Sequence, residues 1–179
     1  MTSGDTFSEV ISTFKCSQDS DIESFLNDKA VLFNRKGKSK THLVLNQDAL
    51  EKGSIEIVAY FSLAIHLLRL PEGTSASQIR RLDGLYSRKG SDPITEIPSF
   101  LIGQLAKNDT YSSTISGSLL LEYALSVISA AEEFIGGRVV YIECREIPKV
   151  ITFYENNGFK VLRRDPDDGL IQMYCLIGK

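Results

Sequence analysis

The chain has little of the chemistry on which several protein classes depend. It contains no tryptophan, two histidines and three cysteines in 179 residues. The cysteines are odd in number, far apart and without a CxxC pair, which argues against a disulfide framework and against a structural zinc site. No apolar run approaches the roughly 20 residues that a membrane-spanning helix needs. We therefore expect a protein of a reducing compartment that holds no metal and no membrane anchor.

An excess of basic charge is also missing. The chain has 20 Lys and Arg against 23 Asp and Glu, a net charge of −3, and so lacks the broad basic field of a nucleic-acid binder. The local basic run Arg35–Lys40 is typical of a solvated loop after a helix. No N-terminal stretch combines a basic start with an apolar core, so we expect no signal peptide and a cytoplasmic location.

The chain does contain enough hydrophobic residues, 42% of the total, to form the core of one folded domain over residues 1–179. In the first half, the pattern predicts a strand or extended arm at 7–16 and a helix capped by Ser20 with Glu23 three residues later. It then predicts a strand at 41–46, a turn at 47–54, a long strand at 55–70, a short helix within 77–85 and a functional or lid-like loop at 88–93.

The second half alternates strands and helices. The pattern predicts a buried strand at 100–106, a helix that ends at Gly136 and Gly137, and a strand at 138–144 that lies parallel to the first because a helix crosses between them. A helix from Pro148 to Gly158 and two last strands joined by a turn at 165–169 complete the chain. The predicted fold class is α/β, a mixed and mostly antiparallel sheet with one parallel crossover, flanked by helices.

A polar loop, Lys107 to Ser118, lies between the buried strand and the long helix. Such a loop brings backbone N–H groups and the positive end of a helix dipole to one point, where phosphates are the usual anions. Ordinary capping of the helix by Ser and Thr is the alternative interpretation of the same residues.

The end of the chain resembles a known family. Residues 153–159, FYENNGF, match the FYxxxGF pattern of the GNAT superfamily of N-acetyltransferases, and the preceding YIECREIPKVIT is similar to that family's second parallel strand and following helix. Segments of the front half, including FKC at 14–16 and VAYFSL at 58–63, resemble the branch of bacterial toxin acetyltransferases that act on aminoacyl-tRNA.

The resemblance implies a GNAT fold and an acetyltransferase that transfers an acetyl group from acetyl-CoA to a primary amine. The acceptor could be an aminoacyl-tRNA, a protein amine or a small amine, and the likeness to toxins also suggests a homodimer. Tyr154 is the expected general acid, because a phenol is protonated at neutral pH and can donate to the departing thiolate. The expected cofactor-binding residues are Leu105, Ala106 and Lys107 for the pantetheine, and Ser112, Ser113, Thr114, Ile115, Ser116, Gly117 and Ser118 for the pyrophosphate.

The loop departs from the family's Q/R-x-x-G-x-G/A pattern, because Ser112 and Ile115 replace its first and second signature residues while Gly117 is kept. This departure motivates an alternative function, a GNAT-shaped binding module with a degenerate cofactor loop that acts through protein contacts. A third alternative is a nucleic-acid-associated protein that uses its scattered basic clusters.

No residue stands out as the catalytic base. The strand carboxylates Glu56, Glu96 and Glu143 suit solvated or edge positions. We interpret His66 as a core or edge residue, His42 as a surface residue and Cys144 as a small buried hydrophobe.

Overall fold

The computed structural model describes residues 9–86 and 94–178. Its centre is a six-stranded sheet in the order β1-β2-β3-β4-β6-β5. The strands are β1 Lys40–Leu45, β2 Ile57–Arg69, β3 Glu96–Lys107, β4 Val139–Cys144, β5 Lys160–Arg164 and β6 Ile171–Leu176. β3 pairs with β4 in parallel, whereas β1 with β2, β4 with β6 and β5 with β6 are antiparallel. The predicted fold class is confirmed.

The helices lie mostly where the apolar periodicity placed them. They are α1 Ser20–Ser24, a π-helical turn Phe25–Lys29, α2 Ala30–Arg35, α3 Gln47–Glu51, α4 Ala76–Asp83, α5 Gly117–Ile135 and α6 Pro148–Asn156, with a short 3₁₀ turn at Asp109–Tyr111. No helix in the described ranges is long and apolar enough to cross a membrane.

The predicted end of α5 and the predicted start of α6 are confirmed. Gly136 and Gly137 follow α5 with φ of 72° and 109°, a backbone region that residues with a Cβ rarely adopt. A Cβ on Gly137 would also lie 2.8 Å from the ring of Phe100. Pro148 occupies the first turn of α6, where its missing N–H costs no hydrogen bond.

Several details of the first half were predicted wrongly. Residues 9–12 form a helical turn rather than a strand. The cap of α1 is Asp19, whose carboxylate accepts from the N–H of Asp21 at 3.0 Å, while Glu23 accepts from the N–H of Cys16 instead. The segment predicted as a turn at 47–54 begins with α3, which is capped by the side chain of Asn46. The loop predicted at 88–93 lies outside the described residues.

The chain divides into two compact units. The first comprises residues 1–64 and 102–126, and the second comprises 65–101 and 127–179. The core of the first unit includes Phe14, Leu26, Ile57, Tyr60 and Ala106. The core of the second includes Leu68, Leu82, Ile97, Val139, Tyr141 and Tyr174.

Candidate active site

In the first unit, a buried asparagine fixes the start of the polar loop at residues 107–118. Asn108 is 2% exposed, and its Nδ2 donates to the carbonyl of Ile57 at 2.8 Å. Its Oδ1 accepts from the N–H of Thr110 at 3.2 Å and from that of Lys15 at 3.4 Å. One side chain therefore joins the loop to the first residue of β2 and to the N-terminal segment.

Two further contacts hold the 3₁₀ turn in place. Asp109 Oδ2 accepts from the N–H of Ser17 at 2.7 Å. The hydroxyl of Tyr111 donates to Glu56 Oε2 at 2.6 Å, and Asn46 Nδ2 donates to the same oxygen at 2.8 Å. These bonds, from Tyr111 first and Asn46 second, lower the pKa of the Glu56 carboxyl. Glu56, one of the acids considered as a base, is thus engaged in holding the loop.

The loop then presents a row of free backbone donors. Within the described residues, no acceptor pairs with the backbone N–H of Ser113, Ile115, Ser116, Gly117 or Ser118. Ser116 caps α5, since its Oγ accepts from the N–H of Leu119 at 3.1 Å and its carbonyl accepts from Leu120. These N–H groups lie at the positive end of the α5 dipole, an arrangement that suits a bound anion.

The isoleucine that replaces a family glycine is accommodated without strain. Ile115 is only 6% exposed, and none of the described residues other than glycine has a positive φ. Ile115 is therefore a buried residue of ordinary backbone conformation, and its N–H has no acceptor within the described residues. Gly117 is the first residue of α5.

The other predicted loop residues lie on the surface. Ser112, Ser113 and Thr114 are exposed, so their hydroxyls are accessible. Lys107 extends its ammonium to the carbonyl of Ser112 at 2.6 Å, which adds a positive charge to the loop.

The end of β3 lies beyond its paired stretch with β4. The parallel pairing joins Phe100 to Val140 and Leu101 to Tyr141, and β3 then continues to Lys107. Ala106 is buried, while Leu105 and Lys107 are half-buried. The contact of these three residues with pantetheine stays a prediction.

Tyr154 belongs to the second unit, on α6. Its ring lies 4.9 Å from that of Phe153 and 5.4 Å from that of Phe159, both in edge-on contact. Burial, with a smaller effect of Cys144, raises the pKa of the Tyr154 phenol, so the hydroxyl stays protonated at neutral pH.

The hydroxyl of Tyr154 is also uncommitted. It has no hydrogen bond within the described residues. Among those residues, Ser39 Oγ is the one side-chain polar atom that is both unpaired and fully shielded from solvent, so the Tyr154 hydroxyl is not fully shielded. A general acid must lie within hydrogen-bond reach of the atom that it protonates, and this role of Tyr154 stays a prediction.

The two histidines and Cys144 lie in three different environments. His42 stacks on Phe61 at 4.9 Å, and burial lowers the pKa of its imidazole. Cys144 is half-buried, and burial raises the pKa of its thiol, which suits an inert cysteine. His66 is exposed on β2 and contacts the hydroxyl of Tyr141, a partner that sequence reasoning did not find.

Comparison with known proteins finds similar folds among solved structures. No family model and no curated protein sequence matches the chain. Its solved structural neighbours are toxin acetyltransferases of the GNAT fold, and the chain has that fold.

Two of these neighbours are KacT and AtaT. A tyrosine-to-phenylalanine mutant of KacT superposes with a TM-score of 0.71 at 18% identity, covering 96% of this chain and 90% of that one. AtaTR bound with acetyl-CoA gives 0.70 at 19% identity, with 93% and 86% covered. AtaT complexed with acetyl-methionyl-tRNAfMet gives 0.70 at 18% identity, again with 93% and 86% covered.

Proposed function

We propose that the protein is an acetyl-CoA-dependent N-acetyltransferase that acts on a primary amine. The observation that carries this proposal is the row of free N–H groups at 113 and 115–118, at the head of α5 in a GNAT fold. Acetyl-CoA carries a pyrophosphate, and its two negative charges match these donors and the ammonium of Lys107.

In this proposal the pyrophosphate binds at residues 112–118 and the pantetheine runs along Leu105, Ala106 and Lys107 like an added strand. The N–H of Leu105 or Ala106 holds the thioester carbonyl oxygen, whose negative charge grows in the transition state. The AtaTR structure with bound acetyl-CoA supports the choice of cofactor.

Tyr154 is the proposed general acid. Its protonated, unpaired hydroxyl can donate a proton to the coenzyme A thiolate as that group leaves. Tyrosine-to-phenylalanine mutants of both AtaT and KacT have been solved, which supports the choice of a tyrosine as the candidate residue in this fold.

For the acceptor, the solved neighbours point to aminoacyl-tRNA, because AtaT was captured with acetyl-methionyl-tRNAfMet. The charge of this chain is −3, which argues for a small or protein amine over a polyanion. The binding-module alternative rests on Ser112 and Ile115. It is weakened by the loop itself, because the N–H groups of residues 113 and 115–118 have no acceptor within the described residues.

Calorimetry with acetyl-CoA tests this function. We expect saturable one-to-one binding, and binding at least about tenfold weaker for S-acetylpantetheine, which lacks the pyrophosphate. Equal affinity for the two ligands would contradict the loop as the phosphate site. No heat of binding with acetyl-CoA would favour the module.

A further inference from the structure

The last part of β2 has a neighbouring strand on one side only. In the sheet order, β2 lies between β1 and β3, but its pairing with β1 ends where Leu63 lies opposite Lys40. Within residues 9–86 and 94–178, no strand therefore lies beside residues 65–69 on the side away from β3. These five residues belong to the second unit, and we name this side of them the open edge.

The backbone groups that point to the open edge follow from the alternation of a strand. The N–H of Leu70, directly after β2, donates to the carbonyl of Thr95, directly before β3, at 2.8 Å. Successive residues of a paired strand direct their N–H and C=O groups to opposite sides. The groups of residues 66 and 68 therefore face β3, and those of residues 65, 67 and 69 face the open edge.

The side chains at the open edge are exposed and carry little charge. Ile65 is 63% and Leu67 is 49% exposed, and the one charged residue, Arg69, is paired with Glu96 at 3.2 Å. Charged side chains and bulges normally protect an edge strand against pairing with another chain. β5, at the other end of the sheet order, has both, with three basic residues among five and a shift of register. The open edge has little of this protection.

A cavity of about 550 Å³ adjoins the open edge. Ile65, His66, Leu67 and Arg69 line it, and β3, β4, β5 and β6 of the second unit also contribute to its lining. The side chains of a strand alternate between the two faces of a sheet, so a strand added at the open edge would direct every second side chain toward one face. Recognition by strand addition uses main-chain hydrogen bonds for affinity and pockets for alternate side chains for specificity.

A second copy of this chain cannot supply those side chains through its own open edge. On the sheet face of Tyr141, a paired second copy would present His66 and Leu68. Leu68 is 1% exposed in the core of its own unit, and His66 contacts the hydroxyl of Tyr141. Both side chains are engaged within their own chain, so the geometry favours a segment whose side chains are free.

The charge of the cavity lining distinguishes between possible segments. The lining contains four carboxylates against two arginines, and both arginines are in ion pairs with lining carboxylates. A basic side chain is therefore a better occupant than an acidic one. This preference selects among strands, whereas the affinity comes from the main chain.

We propose that the open edge binds an extended segment of another protein as an added antiparallel strand. The main chain of the segment bonds to the N–H and C=O groups of residues 65, 67 and 69. Its apolar side chains contact Ile65 and Leu67, as cross-strand neighbours do, and its basic side chains point toward the cavity. This interaction does not depend on acetyl-CoA binding.

Calorimetry with the peptide acetyl-Val-Lys-Val-Lys-Val-amide tests the main-chain contacts. Its central valine lies opposite Leu67, so N-methylation of that valine removes a donor to the edge and should weaken binding at least about fivefold. N-methylation of a lysine, whose N–H points away from the edge, is the control and should have less than a twofold effect. Equal effects of the two methyl groups, or no binding of the parent peptide at millimolar concentration, would overturn the proposal.

Amide hydrogen exchange followed by NMR tests where the peptide binds. The amides of residues 65, 67 and 69 should exchange more slowly when the peptide is bound, and those of residues 66 and 68 should not change. If the same three amides are protected without peptide as the protein concentration rises, and sedimentation shows a dimer, a second copy covers the edge and the proposal is wrong.

Matched substitutions test the surface itself. Ile65→Lys adds the kind of charge that protects natural edges and should weaken peptide binding at least about fivefold. Phe134→Lys makes the same change of charge at a residue of α5 that is 87% exposed and does not line the cavity, and it should have little effect. Equal losses would mean non-specific attraction and would overturn the proposal. Equal binding of acetyl-Val-Glu-Val-Glu-Val-amide would overturn the choice of a basic segment.

Discussion

Replacing Asn108 with alanine should destabilise the protein and weaken acetyl-CoA binding together. The substitution removes the donor to the carbonyl of Ile57 and the acceptor for the N–H of Thr110. Each net bond contributes about 1 kcal/mol, and a buried partner left unpaired costs about 1–3 kcal/mol. The 3.4 Å contact with Lys15 adds little.

We therefore expect the free energy of unfolding to fall by roughly 2–3 kcal/mol, measured by urea denaturation at an unchanged m-value. Asn27→Ala is the control, because Asn27 is exposed and, among the described residues, its side chain bonds to the carbonyl of Glu23 in the adjoining α1. Acetyl-CoA affinity, measured by calorimetry well below the unfolding transition, should drop in the Asn108 variant alone. A loss of stability no larger than that of Asn27→Ala would refute the idea that Asn108 fixes the loop.

Three further substitutions test the site more directly. Tyr154→Phe should lower kcat by about 10²-fold with nearly unchanged acetyl-CoA affinity, and a kcat within a few-fold of the parent would make Tyr154 a packing residue. Gly117→Val should weaken acetyl-CoA binding at least tenfold, about 1.4 kcal/mol, whereas Thr110→Ala, at an exposed side chain of the 3₁₀ turn, should not. Tyr111→Phe removes the main cause of the lowered pKa of Glu56. The parent should therefore be more stable than this variant at pH values above the usual pKa of a glutamate, and this difference should vanish as the pH falls through the lowered pKa of Glu56. Urea denaturation at several pH values measures the difference.

Local signals predicted most of the fold. The apolar runs of β2 and β3, the two glycines after α5 and the proline of α6 each act within a few residues, so their structural meaning can be recognised in the sequence. The cap of α1 was predicted wrongly because Asp19 and Ser20 are both good capping residues. In the structure Asp19 accepts from the N–H of Asp21, and Glu23 binds Lys15 and Cys16 instead of completing a capping box with Ser20.

Much of the site depends on residues far apart in the chain. Asn108 contacts residues 51 and 93 positions away, and His66 and Tyr141 are separated by 75 positions. No periodicity or short motif contains such pairs. The loop could be recognised from its strand–loop–helix context, but the contacts that hold it could not.

Ile115 shows why a departure from a motif and a loss of function are separate matters. A glycine in a phosphate loop provides either a positive φ or room for the ligand to approach. The first is not needed here, since no described residue other than glycine has a positive φ. That the second is met stays a prediction; Ile115 is buried, and its N–H has no acceptor within the described residues. In the proposed phosphate site, an anion needs free N–H groups at the start of a helix, and the backbone can supply them with an isoleucine at this position.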